Sequence, residues 1–132
     1  MRKGVAIAAA IFLIAGVSWF GIHRYRIARE RQNSCEKRNA VFNRRVEDIK
    51  RDAEEQLKVG ANKAEITRFF TAHGIPFEIT SSEAVGTLYT TGGCAPLGCG
   101  TDRALIGVRV KIDALGTVMD KPVVVGMYVD CV

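Results

Sequence analysis

The residues of this chain best suited to chemistry are its four cysteines, Cys35, Cys94, Cys99 and Cys131. Two of them lie in a segment rich in glycine, GGCAPLGCG, at positions 92–100. Cysteine thiols can form disulfides, bind metal ions or carry out thiol–disulfide exchange. An even number of cysteines in a small domain is typical of disulfides that form in an oxidising compartment.

The spacing of Cys94 and Cys99 argues against three familiar sites. Four residues separate the two cysteines, whereas a thioredoxin-like redox motif has two. A phosphate-binding loop needs a lysine where Cys99 stands, and a metal site would find only two histidines in the chain, His23 and His73. We therefore interpret the segment as a hairpin loop closed by a Cys94–Cys99 disulfide. A thiol redox or metal function of these two cysteines is kept as an alternative.

On this interpretation Cys35 and Cys131 remain, and we expect them to pair and join the long helix to the last strand. No Ser-His-Asp or Cys-His set can be assembled from the sequence. His73 precedes Gly74 at a predicted helix end, where histidine usually interacts with the last carbonyls. Turn-forming and solubilising roles explain the carboxylates of the C-terminal half, Glu78, Glu83, Asp102 and Asp113. The sequence thus predicts a non-enzymatic protein without a cofactor or metal and indicates no small-molecule substrate.

An uncharged stretch of nineteen residues, GVAIAAAIFLIAGVSWFGI, occupies positions 4–22. As a helix it would be about 28 Å long, close to the hydrocarbon thickness of a bilayer. Trp19 and Phe20 fall near its end, where interfacial aromatic anchors are expected. These bulky residues follow the best candidate cleavage site, at 16–18, and make it a poor one. We therefore predict an uncleaved transmembrane anchor at residues 1–23.

The segment after the apolar stretch is basic. Between residues 24 and 51 there are ten Lys and Arg against four acidic residues, whereas 60–132 has six against seven. A basic segment beside a membrane is attracted to anionic lipid, by about 1 kcal/mol per charge close to the surface. The predicted headgroup contacts are Arg24, Arg26, Arg29 and Arg31. Nucleic acid is not expected as a partner, because few aromatic residues accompany the arginines.

Two patterns disagree about the orientation of the anchor. Arg2 and Lys3 precede the apolar stretch and four arginines follow it closely, which by the positive-inside rule places the C-terminal side in the cytoplasm. The even set of cysteines favours an oxidising compartment instead. We expect a single-pass protein of the cell inner membrane with its C-terminal domain in the periplasm, and the orientation stays open at this point.

Helical patterns follow the anchor. Residues 24–59 contain no glycine or proline and are rich in good helix formers, which predicts a long amphipathic helix. Its apolar positions recur every three or four residues, at Val41/Phe42, Val46, Ile49, Ala53 and Leu57. Gly60 can end this helix, and we expect its distal half to pack on the following domain. A short second helix is predicted from Lys63 to His73, with Asn62 and Glu65 forming a capping box.

The hydrophobic period then changes from helical to two. The predicted strands lie at 86–91, at 106–112 and at 117–119 with 123–129, and a turn is predicted at 113–116. Ile66, Phe69 and Phe70 of the second helix are expected in the core. The predicted class is α+β: a transmembrane helix continuing into the long amphipathic helix, a short helix, and an antiparallel sheet of three to four strands. The small α+β domain is expected at 60–132.

Four sequence features carry a resemblance to a known family. They are GANKAEI at 60–66, Phe69-Phe70, Gly74-Ile75-Pro76, and the strand and turn at 106–116. With these features the C-terminal part resembles the SmpA or outer-membrane assembly lipoprotein E type of small envelope domain, whose layout is shared with the repeats of β-lactamase-inhibitory protein. The chain departs from that pattern in lacking a lipidation cysteine and in its cysteine loop. The resemblance implies binding to another envelope protein, or envelope assembly, and no enzyme.

A second likeness concerns the N-terminus. Met1-Arg2-Lys3-Gly4 before Val5 is a basic leader that ends in glycine, followed by an apolar helix, an amphipathic helix and a sheet. This order resembles type IV pilin-like subunits. Ala9 stands where their glutamate is usual, and Val5 stands where the mature chain usually begins with phenylalanine. A filament subunit is therefore kept as the alternative function.

Overall fold

The computed structural model describes residues 2–96, 101–129 and 131, with side chains from residue 16 onward. Its elements are α1 (Arg2–Gln56), α2 (Lys63–Ala72), β1 (Phe77–Ile79), β2 (Glu83–Thr91), β3 (Arg103–Lys111) and β4 (Val123–Tyr128). The strands form one antiparallel sheet in the order β1-β2-β3-β4. The predicted α+β class, long helix, short helix and antiparallel sheet are confirmed. The chain divides into two compact units, Met1–Cys35 and Glu36–Val132.

The first unit is the N-terminal part of α1. All of its described side chains from 16 to 34 are exposed, including the four arginines predicted to contact lipid. Trp19 is 77% exposed, and the guanidinium of Arg24 lies 5.2 Å from the centre of the Phe20 ring. The side chains of 4–15, which make up most of the predicted anchor, lie outside the described residues. In the described part of the chain, no helix has an apolar stretch long enough to cross a bilayer.

The core of the second unit lies between the helices and one face of the sheet. Alternate residues of β3 are buried, namely Ala104, Ile106, Val108 and Val110. From the helices, the buried side chains are Phe42, Ile49, Ala53, Ile66, Phe69 and Phe70, and Leu57 directly after α1 is buried with them. This confirms that the distal half of the long helix packs on the domain, and that the predicted α2 residues face the core. The second unit therefore includes the helix from Glu36 onward.

The start of α2 is stabilised by side chains next to it in sequence. The Asn62 side-chain oxygen accepts hydrogen bonds from the backbone N–H groups of Ala64 (2.9 Å) and Glu65 (3.1 Å). The Glu65 carboxylate in turn accepts the Asn62 backbone N–H at 2.7 Å. These contacts confirm the predicted capping box, which satisfies N–H groups that have no partner within the helix.

We expect Asn62→Ala to lower the free energy of unfolding by about 1 kcal/mol, because it removes the acceptor for two helix N–H groups. The measurement is denaturant unfolding of the full chain in detergent micelles. Lys63→Ala at the next, exposed position is the matched control and should change stability by less than about 0.5 kcal/mol. Equal effects of the two variants would contradict a capping role for Asn62.

The segment between β3 and β4 begins with the predicted turn. The Asp113 carboxylate accepts the backbone N–H groups of Leu115 (2.9 Å) and Thr117 (2.8 Å), and Gly116 has a φ of 78°. Residues 117–119 were predicted to form strand, but the structure has only an isolated bridge there, between Val118 and Ile112. β2 and β3 each begin three residues earlier than predicted.

Candidate protein-binding surface

The structure changes the predicted disulfide pairing. Cys35 is bonded to Cys94, and Cys131 is also disulfide-bonded. The predicted Cys94–Cys99 and Cys35–Cys131 pairs are therefore wrong, although the expectation of disulfides is confirmed. Cys99 itself lies outside the described residues.

The reason for this pairing is the path of the loop after β2. The Gly92 N–H donates to the Asp102 carbonyl at 2.9 Å, next to the last pair of β2 and β3. Gly93 then lies so close to α1 that a Cβ there would overlap the side chain and the backbone nitrogen of Asn39. Cys35 precedes Asn39 by four residues, and residues four apart lie on the same face of a helix. Cys94 therefore meets Cys35.

Tyr128 on β4 connects the same loop to the helix. Its hydroxyl donates a hydrogen bond to the Asn39 side-chain oxygen and accepts one from the Gly93 N–H at 3.1 Å. Its ring packs on Phe42 with 6.0 Å between the ring centres. These contacts join the loop, the helix and β4 at one point in the second unit.

We expect Tyr128→Phe to lower the free energy of unfolding by about 1–2 kcal/mol. The change keeps the ring but leaves the partly buried Asn39 oxygen and Gly93 N–H without their partner. Tyr89→Phe is the matched control, because the Tyr89 side chain is 64% exposed and should lose less than about 0.5 kcal/mol. Denaturant unfolding measures both, and equal losses would contradict a structural role for the Tyr128 hydroxyl.

Charged groups beside the loop contribute less. The Asp102 carboxylate accepts the Ala95 N–H at 3.1 Å and lies 3.9 Å from the Arg38 guanidinium. Both side chains of the ion pair are about half exposed, so water screens their attraction. A depression near the loop, lined by Lys37, Arg38, Val41, Thr91 and Gly92, has a volume of about 240 Å³. This is smaller than the usual 300–1,000 Å³ of a small-molecule site.

His73 is the C-cap of α2 and pairs with Asp52 of α1. Its Nε2 lies 3.5 Å from the Asp52 carboxylate on α1, and its ring centre lies 4.7 Å from that of Phe69. Its backbone N–H donates to the Phe69 carbonyl at 3.1 Å. In the described ranges, no three His, Cys, Asp or Glu residues are grouped so that they could hold a metal ion. Every buried side-chain nitrogen or oxygen there has a hydrogen-bond partner.

The sheet face opposite the helices carries an apolar cluster. The register places Tyr89 of β2 opposite Leu105 of β3, which in turn lies opposite Met127 of β4. Val125 is next to them on the same face, since alternate residues of a strand point the same way. Tyr89, Met127 and Val125 are 64%, 48% and 40% exposed. We call these four residues, Tyr89, Leu105, Val125 and Met127, the open-face cluster.

Charged side chains flank the cluster on this face, and two ion pairs lie at one end of it. The Arg109 guanidinium lies 3.5 Å from the Glu83 carboxylate. The Lys111 ammonium lies 3.8 Å from the Asp120 carboxylate. At the other end, Arg103 is two residues from Leu105 on β3 and shares its face. The apolar cluster therefore has charged side chains at both ends.

Sequence reasoning missed two sets of residues. The Asn39–Tyr128–Gly93 contact joins residues far apart in the chain, and no local pattern predicts it. The open-face cluster did leave a signal in β4, where VVVGMY has no polar alternation and is therefore apolar toward both faces. The alternation of β3 likewise contains Leu105 among its outward positions.

Comparison with known proteins adds no relative. No family model matches the chain, and no curated protein or solved structure that was compared is similar to it. The resemblance to small envelope domains therefore still depends on the residues of this chain alone.

Proposed function

We propose that this chain is a non-enzymatic, single-pass membrane-anchored envelope protein whose α+β domain binds or helps assemble another protein. The observation that supports this proposal best is the open-face cluster. Its residues are adjacent across three strands and face away from the core, so their apolar surface is available to a partner. The domain concerned is the second unit, Glu36–Val132.

The chemistry of the cluster suits a protein partner. Tyrosine and methionine are enriched in the centres of protein interfaces, where their large side chains are desolvated. Apolar patches on the surface of small proteins are often functional, because exposing them to water costs free energy that a partner can recover. Charged side chains at the borders of such a patch suit a polar rim. A small envelope domain of the kind that the C-terminal part resembles would act in the same way.

The membrane anchor is proposed from the sequence at 4–22, which is uncharged over a length that matches a bilayer. Trp19 and Phe20 would lie at the interface, and Arg24, Arg26, Arg29 and Arg31 would contact lipid headgroups. The Cys35–Cys94 disulfide supports an oxidising compartment for the domain, which here means the periplasmic side of the inner membrane.

A count of free thiols tests the compartment. Protein taken from its native membrane is alkylated before and after reduction, and its intact mass is measured. We expect alkylation only after reduction, because disulfides persist in an oxidising compartment. Four alkylated thiols before reduction would place the domain in the cytoplasm and contradict this part of the proposal. The same mass shows whether a leader is removed after Gly4, the result that would favour a pilin-like subunit.

A photocrosslinking experiment tests the binding surface. A benzophenone side chain is placed at position 89 in the full chain in its native membrane, and at position 115 as a control. Leu115 is also apolar and 88% exposed, but it lies on the turn between β3 and β4, outside the cluster. We expect position 89 to give a discrete adduct with another protein. A probe at position 105 should give an adduct with the same protein, and Tyr89→Lys in that chain should abolish it. Equal labelling from 89 and 115 would contradict the assigned surface.

A further inference from the structure

The strand β4 is an open edge of the sheet. In the order β1-β2-β3-β4 the two edges are β1, with three residues, and β4, with six. Proteins usually protect a long edge with lysine, proline, a bulge or a covering segment, because its free backbone groups can pair with another strand. The six residues of β4, VVVGMY, contain neither charge nor proline.

The hydrogen bonds to β3 show which groups of β4 face outward. The Val129 N–H donates to the Arg103 carbonyl at 2.9 Å, so Val129 and Arg103 form a hydrogen-bonded residue pair between the two strands. In antiparallel strands such pairs alternate with pairs that are not bonded to each other. Val123, Val125 and Met127 therefore bond to β3, and the N–H and C=O groups of three others point to the free edge. Those three residues are Val124, Gly126 and Tyr128.

The loop between the two helices covers the sheet edge next to Val118, beside β4. The Gly60 N–H donates to the Val118 carbonyl at 2.9 Å, and the Val118 N–H donates to the Ala61 carbonyl at 2.8 Å. The loop between the helices thus takes the position of a further strand beside Val118. In the described ranges, it reaches only that residue and leaves β4 without a neighbour on its outer side.

The charge of the second unit permits contact between two copies. Residues 36–132 contain thirteen Lys and Arg and thirteen Asp and Glu, a formal net charge of zero. The whole excess of +5 lies in residues 1–35, with six basic residues and one acidic residue. Net charge of one sign keeps copies of a protein apart, and this domain has none. Because β4 is itself uncharged, pairing it with a second β4 opposes no like charges.

We propose that two copies of this chain pair through β4 and form a continuous eight-stranded sheet. The two strands run antiparallel about a two-fold axis at Gly126, so that the same surface serves both copies. Val124 then lies opposite Tyr128 of the second copy, and Gly126 lies opposite its counterpart. Three such pairs exchange about six backbone hydrogen bonds.

The same register continues the apolar surface across the contact. On the open face, Val125 lies opposite Met127 of the second copy in a pair whose side chains approach closely. The two open-face clusters thereby become neighbours, while Tyr89 and Leu105 on the inner strands stay accessible. Edge pairing uses backbone groups and does not depend on the proposed binding of another protein.

Hydrogen exchange tests the edge directly. The full chain is studied in detergent micelles at a low and a high ratio of protein to detergent, with particle mass measured in parallel. We expect the amides of Val124, Gly126 and Tyr128 to exchange at least about tenfold more slowly in the dimer. The amides of Val125 and Met127 should be protected at both ratios, because they bond to β3. A monomer at both ratios, or a dimer with outward amides still unprotected, would overturn the proposal.

A pair of double variants tests the register. In Val125→Lys with Met127→Lys, each lysine would lie opposite a lysine of the second copy, and we expect the dimer to weaken by at least about tenfold. In Val125→Lys with Met127→Glu, each lysine would lie opposite a glutamate, and the dimer should be largely restored. Both variants change the same exposed positions, so unfolding curves serve as a check that the domain remains folded.

Two further results would count against edge pairing. Tyr89→Lys should leave the dimer unchanged, because Tyr89 lies on β2, away from the edge. If the dimer is lost in the Tyr89→Lys variant, the two copies pack face to face and not edge to edge. A photocrosslinker at position 127 in the native membrane should give an adduct of two copies of this chain. Met127 also belongs to the open-face cluster, so an adduct with another protein is expected as well, but the lack of a two-copy adduct would overturn self-pairing.

Discussion

Phe70→Ala is expected to lower the free energy of unfolding of the domain by about 3–5 kcal/mol. This is a large fraction of the total unfolding free energy of a small domain. Phe70 has no exposed surface. Its ring stacks on Phe77 at 4.8 Å and meets Phe69 edge-on at 5.4 Å between ring centres. Gly86 lies directly over it, so that a Cβ there would overlap the ring. The alanine variant removes these contacts and leaves a cavity that the rigid sheet cannot close.

Denaturant unfolding of the full chain in detergent micelles measures this loss. Phe20→Ala is the control, because Phe20 is 61% exposed and lies in the first unit. It should change the unfolding of the second unit by less than about 0.5 kcal/mol. Gly86→Ala disturbs the same packing from the sheet side and should also destabilise. A loss below about 1 kcal/mol for Phe70→Ala would mean that the core between α2 and the sheet is not packed as described.

Removing the Cys35–Cys94 disulfide is expected to cost about 2–4 kcal/mol of stability. The two cysteines are far apart in sequence, so their bond restricts a long loop of the unfolded chain. The double variant Cys35→Ala with Cys94→Ala removes the bond without leaving a free thiol from this pair. Denaturant unfolding under non-reducing conditions gives the loss directly.

Asp102→Asn is the matched control for the disulfide variant. It weakens the exposed ion pair with Arg38 beside the same loop, and should cost less than about 1 kcal/mol. Peptide mapping of the non-reduced protein provides an independent check. A Cys35–Cys94 peptide pair is expected, and a Cys94–Cys99 link would instead restore the pairing inferred from spacing. Unchanged stability of the double variant would show that the loop is held by its hydrogen bonds alone.

The two helices and the strands could be predicted because their signals are local. The capping box at Asn62 and Glu65 depends on residues three apart, and the structure reproduces it. The alternation from Ile106 to Ile112 depends on neighbours two apart, and it forms the central part of β3. The residues at 117–119 have strand composition, but bonds to the loop at Gly60 and Ala61 restrict them to a single bridge.

Local pattern was therefore sufficient for the α+β class, the cap of α2, the residues of its buried face and the presence of disulfides. The pairing of Cys35 with Cys94 was not accessible in this way, because it depends on Gly93 lying against Asn39 on a distant helix. The same holds for the Tyr128 contact and for the open-face cluster, whose members come from three strands. Spacing along the chain describes neighbours within an element. Which elements meet is determined by burial and shape across the whole unit, and this is why the folded chain was needed to locate the surface.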